Sequence, residues 1–146
     1  MANGNAAFRA GDLKEAVDYY LSGFTEAEGL LHSAAAGMVH PESEPAPALV
    51  VAASNAASVH GDRGDHAKAQ EILQRATTLL RTIISDATAP PALRTSCLQH
   101  LNRALADLIG CMRRAGADAN SIAQEINAAR RVASDDLSAT QIQTFH

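Results

Sequence analysis

At 146 residues, with 47% hydrophobic but only 3% aromatic residues and no Trp, the chain suits one compact domain whose interior is filled by Ala, Leu, Ile and Val. Its formal net charge of −4 disfavours non-specific nucleic-acid binding, which feeds on clustered Lys and Arg. The longest apolar runs, such as Ala46 to Ala53, are interrupted and too short to cross a bilayer, and no basic-then-apolar leader opens the sequence, so a protein without a membrane partner is expected.

The opening stretch from Gly4 to Tyr20 reads as helix, tight turn, helix. A short first helix ends at Ala10, Gly11 serves as a left-handed stop, and Asp12 with Glu15 forms a capping box. From Leu13 the apolar positions Ala16, Val17, Tyr20, Phe24, Ala27, Leu31 and Ala34 keep to one face at helical spacing, which predicts a long second helix to about Ala36. Gly37 and the prolines Pro41, Pro45 and Pro47 then break the pattern. A third helix is expected from about Ala48 to His60, with Leu49, Ala52, Ala53 and Ala56 inward.

Gly64-Asp65 turns the chain into a fourth helix carrying Ala69, Ile72, Leu73, Ala76, Leu80 and Ile83. Pro90-Pro91 opens a fifth, for which Pro91 suits the first turn, with the stripe Leu93, Cys97, Leu101, Leu105, Leu108 and Met112. After a turn over Gly116 to Asn120, a sixth helix carries Ile122, Ile126, Ala129 and Val132. The tail from Ser134 has a cap signal at Ser134 or Asp135 and only Leu137, Ile142 and Phe145 as anchors, so a short capping helix or a frayed end is expected over 134–146.

Chemistry finds little foothold. Cys97 and Cys111 lie about four turns apart on one helix, roughly 21 Å at ~1.5 Å per residue, and cannot pair with each other. A reducing compartment, hence a cytoplasmic location, follows. The six histidines, His32, His40, His60, His66, His100 and His146, contain no pair at the spacing that puts two imidazoles on one helical face, so no metal site is expected. No Gly-x-Ser-x-Gly elbow and no strand-linked phosphate cradle is present, so no catalytic residue and no cofactor is assigned. Arg113 and Arg114, just before Gly116, are accounted for by a helix C-terminus, which favours cations.

The first two hairpins resemble tetratricopeptide repeats. The match is carried by Phe8, Gly11, Asp12, Ala16 and Tyr20 in the first copy and by Ala57, Gly64, Asp65, Ala69 and Ala76 in the second, with a weaker third copy around Gly116. Turns recur at Gly11, Gly64 and Gly116, about one and a half times the family's 34-residue unit. The resemblance implies an all-α fold: a right-handed superhelix of three antiparallel helical hairpins, over about 2–36, 48–86 and 91–133, plus a C-terminal capping helix. It also implies a non-catalytic adaptor that binds a peptide or partner protein in its concave groove.

Asn5 and Asn55 are similar to the paired asparagines of the co-chaperone and immunophilin subgroup, whose carboxylate clamp grips chaperone C-terminal tails. Here that clamp is incomplete, because its first-repeat Lys falls at Met1 and Asp107 stands where a basic residue is expected. His60 occupies a position where the family often has an aromatic, and packing is expected there. The polar positions on the first helix of each hairpin, Asn5, Arg9, Asn55, Ser58, Asn102 and Arg103, are the candidate peptide contacts. The alternative is an assembly role, with Ala-rich faces mediating homo-oligomerisation or the chain forming one segment of a longer array.

Overall fold

The computed structural model describes residues 13–38 and 44–144, and among these it contains five helices and no strand. They are α1 (Leu13–Ala35), α2 (Pro45–Asp62), α3 (His66–Ser85), α4 (Pro91–Arg114) and α5 (Ala119–Thr144). The expected first helix, with Gly11 and Asp12, lies outside the described residues.

Three glycines end helices in the same way. Gly37, Gly64 and Gly116 hold φ of 84°, 77° and 76°, a left-handed conformation in which a Cβ is strained. Each glycine and the residue after it turn their amides back into the last helical turn. At Gly64 this means Gly64 N–H to the Gly61 carbonyl and Asp65 N–H to the His60 carbonyl, both at 2.9 Å. At Gly116 the matching bonds reach Arg113 at 3.1 Å and Met112 at 2.9 Å. The carbonyls left over at a helix end are thereby satisfied within two residues, which keeps the turns after Gly64 and Gly116 short.

The next helix starts on a local cap. The Asp65 carboxylate accepts from the Lys68 amide at 3.2 Å, and the Asp118 carboxylate accepts from the Ser121 amide at 2.7 Å. The α3–α4 join uses other chemistry, because Asp86 accepts from the Thr88 amide at 2.9 Å and its hydroxyl at 2.6 Å before Pro90-Pro91 opens α4. These bonds hold the Asp86 and Asp118 carboxyls below their usual range.

Two boundaries differ from the sequence expectation. α2 begins at Pro45 rather than Ala48, since Pro45 stands in a first turn where no amide is needed. α5 runs unbroken to Thr144 through the expected break at Ser134. There the Ser138 hydroxyl donates to the Ser134 carbonyl at 3.0 Å and Arg94 Nη2 of α4 donates to the Asp136 carboxylate at 2.9 Å, so the polar run is accommodated within the helix instead of starting a new one.

Each helix lies on the next in sequence, and beyond that α2 lies against α4 and α3 against α5. Side chains also join α1 to α3: Arg75 Nη2 of α3 donates to Glu28 of α1 at 2.6 Å, with its guanidinium 5.1 Å above the Phe24 ring. On the other flank of α3, Gln74 donates to Glu125 of α5 at 3.1 Å, and Arg81 stands 3.7 Å from the same carboxylate.

The core follows the predicted stripes of α1 to α4 closely. Phe24, Leu31, Leu49, Leu80 and Leu108 are fully enclosed, and of the stripe positions expected in these four helices, Leu105 alone is only half-buried. α2 is pressed by α1, α3 and α4, and its buried Ala46, Ala52, Ala53, Ala56 and Ala57 are what allow three helices to approach it. Buried Thr77 returns its hydroxyl to the Leu73 carbonyl at 2.9 Å, leaving no polar cost there.

Candidate functional site

The site grows from the way α2 and α4 run side by side with the start of α3 behind them. Where two helices meet through small side chains their surfaces leave space between them. On α2 the positions Ser54, Ala57, Ser58, Gly61 and Asp62 follow one another at helical spacing, as do Asp107, Gly110, Cys111 and Arg114 on α4. Together with His66, Ala69 and Leu73 of α3 they enclose a cavity of about 490 Å³ open to solvent.

Its floor is apolar and small, its rim charged. Ala57, Ala69, Leu73 and Cys111 are buried, while Ser58, Asp62, His66 and Arg114 are exposed and Asp107 is half-exposed. The C-terminal ends of α2 and α4 both lie here, and each brings the negative end of its dipole. Arg114 answers part of that field from the last turn of α4, its Nη1 lying 3.4 Å from where a Cβ on Gly110 would stand. Arg103, outside the lining, reaches Asp107 with Nε at 3.4 Å.

The titratable groups nearby are tuned by burial. The Cys111 thiol is pushed up by desolvation, which Arg114 opposes, so it stays protonated and is a poor nucleophile. Deeper in α4, burial pushes Cys97 to about 11. His60, packed into the core next to the cavity, is held below its ordinary value by burial, against the pull of Asp65 and with Lys68 and Arg63 adding to the lowering. Among the described residues no group of three His, Cys, Asp or Glu side chains could hold a metal ion, and no helix is long and apolar enough to cross a membrane.

Of the predicted contacts, Asn5 and Arg9 lie outside the described residues. Ser58 lines the cavity. Asn55, on α2, is half-buried and engaged in an interaction of its own, and Asn102 stands exposed on α4 outside the lining. Arg103 is exposed on the outer side of Asp107. Sequence reasoning did not assign Asp62, His66, Gly110 or Cys111 to a binding site. A usable signal was present in the small residues Ala106 and Gly110, spaced so that they open one face of α4 beside Asp107 and Arg114.

A second, shallower groove of about 350 Å³ runs between α1 and α2. It is lined by Tyr19, Ser22, Gly23, Glu26, Ala27 and Leu30 with Ala48 and Ala52. Tyr19, off the core stripe, sits here half-buried, with its ring edge-on to Tyr20 at 6.2 Å between centroids.

Fold and site together define an all-α protein with a polar-rimmed cavity between α2 and α4. The chain belongs to the family DUF2753, described as a protein of unknown function, whose profile matches residues 1–146. No curated protein and no solved structure matches it.

Proposed function

We propose that this chain is a non-catalytic protein-interaction module, a tetratricopeptide-like superhelix that takes a peptide or a partner's extended segment in the trough between α2 and α4. One observation carries the reading: a cavity of about 490 Å³ with a floor of small residues and a rim of charge and hydroxyl, set where alternate helices of a stack run together. Three features support the repeat architecture. Contacts recur between alternate helices, hairpin turns recur on left-handed glycines at Gly64 and Gly116, and α5 turns outward the exposed Gln124, Asn127, Arg130, Arg131 and Ser134, as a helix capping a stack does.

Cytoplasmic residence and an adaptor role of the co-chaperone kind belong to the same proposal, with one adjustment. Asp62 and Asp107 on the rim make an acidic chaperone tail a poor ligand. The test is selection from a randomised heptapeptide library displayed on phage, followed by affinity measurements on Ser58→Trp. Ser58 is exposed on the rim, so this change fills the trough and leaves the core alone. Selected peptides should lose at least tenfold in affinity while helical circular dichroism is unchanged. Peptides indifferent to Ser58→Trp would overturn the reading.

Self-association is the second reading, favoured by Leu30, 42% exposed in the α1–α2 groove, and by Val51 of α2, 48% exposed. Light scattering across a concentration series, with Leu30→Glu as the comparison, separates the two. A dimer abolished by Leu30→Glu supports assembly.

A further inference from the structure

The charges on the trough are placed where helix stability gives no reason for them. Asp62 occupies the last position of α2, where the helix dipole disfavours an anion. Asp107 pairs with Arg103, four residues before it, and a basic residue N-terminal to an acidic one is the weaker order for such a pair on a helix. The pair is long at 3.4 Å and the Arg103 side chain is 68% exposed, so it contributes little, about 0–1 kcal/mol for a surface bridge. Two carboxylates thus rim one cavity beside two converging helix C-termini, and the lining offers only Arg114 as a guanidinium.

From this we infer that the trough takes a basic segment of a partner protein, seating a Lys or Arg side chain on Asp107 in place of Arg103, with Asp62 holding a second cation or the same one. This rests on the interaction-module reading and names its partner's chemistry. The small floor of Ala57, Ala69 and Gly110 admits the methylene stem of a long basic side chain, while the carboxylates at the rim meet its head. The formal net charge of −4 on the whole chain favours encounter with a basic partner. Arg103 is then a resident stand-in for the ligand's cation and competes with it.

That competition separates this inference from a carboxylate clamp, in which Arg103 would grip the ligand. The experiment selects binders from the displayed heptapeptide library on the whole chain. It then measures the best synthetic peptide by fluorescence anisotropy on wild type, Asp107→Asn, Asp62→Asn and Arg103→Gln. All three side chains lie at the surface, and circular dichroism of each variant checks the fold. The expected result is enrichment of Lys and Arg and an affinity that falls with added salt. Asp107→Asn should weaken binding about three- to tenfold, and Arg103→Gln should tighten it about twofold, the scale of an exposed pair.

Enrichment of Asp and Glu, with Arg103→Gln weakening and Asp107→Asn tightening, would overturn the inference and leave the trough as the binding site. Apolar binders lost on Ser58→Trp but unmoved by Asp107→Asn would do the same. Binders unmoved by Ser58→Trp would overturn both readings.

Discussion

The four-helix body α1–α4 and the last helix α5 are built on the same plan and held in different ways. In the body, whole stripes are buried: Phe24, Leu31, Leu49, Leu80 and Leu108 lose all contact with water. In α5 the stripe of Ile122, Ile126, Ala129 and Val132 was expected to do the same, yet Ala129 is the one position among them that is buried. α5 is fastened instead by polar clasps, Gln74 and Arg81 on Glu125 and Arg94 on Asp136. α5 lies more lightly on α3 and α4 than the body helices lie on one another, and a few charge-assisted bonds carry part of its attachment.

The largest effect that can test this contrast is removal of a body side chain. Phe24→Ala should cost ~3–5 kcal/mol in urea unfolding, because the enclosed ring leaves a cavity and Arg75 loses the face it covers. Ile122→Ala in α5 should cost only ~1–2 kcal/mol, since its side chain is already half in water. Equal costs would break the comparison.

Glycine exchange sharpens it at the backbone. Gly64→Ala should destabilise by ~1–2 kcal/mol although open space surrounds it, because the penalty lies in φ of +77° and not in contact. Gly29→Ala, inside α1 and equally open, should stabilise by ~0.5–1 kcal/mol. Thermal melts of the two variants should move in opposite directions.

A smaller and local effect is expected at the clasps. Glu125→Gln should cost about 1 kcal/mol and appear chiefly as faster amide exchange in α5, with protection in α1–α4 retained. Loss of protection throughout the chain would show that α5 is part of the cooperative body. The buried Glu125 Oε2 accepts no hydrogen bond and finds Arg81 only at 3.7 Å, which leaves this clasp the least complete of the three.

The smallest effect is set by pH. His60 is held below its ordinary 6.5 by burial, so below that value the unfolded chain binds a proton that the folded chain refuses. Stability should therefore decline as pH falls through about 6.5 and level off below the folded-state value. Asp86 and Asp118, held low by their hydrogen bonds, act in the same direction only at more acid pH, below the usual carboxylate range. Urea midpoints measured from pH 8 to 4 on wild type and His60→Phe should show the first decline in the former alone.

Much of the fold was legible in the residue order. The helical spacing of Ala16 to Ala34 marked α1, and Gly37, Gly64 and Gly116 marked its end and two hairpin turns, because a left-handed stop is a property of one residue and its immediate neighbours. Pro45 and Ser134 misled for the same local reason. Proline reads as a breaker but opens α2, and a cap-forming run reads as a start but lies inside α5. Leu137, expected as an anchor, is 61% exposed, since nothing along the chain tells which face of α5 meets a neighbour.

The candidate site was legible in part. Ser58 was singled out and does line the cavity, while Asn102 and Arg103 lie on α4 one turn before the lining positions Ala106 and Asp107. Sequence by itself determined that the chain is helical and which residues of α1–α4 avoid water, since both follow from interactions within a few residues. Only the tertiary structure decided that Asp62 of α2, His66 of α3 and Asp107 of α4 border one space, because that depends on how far apart small residues let the helices settle, which is a property of pairs distant in the chain.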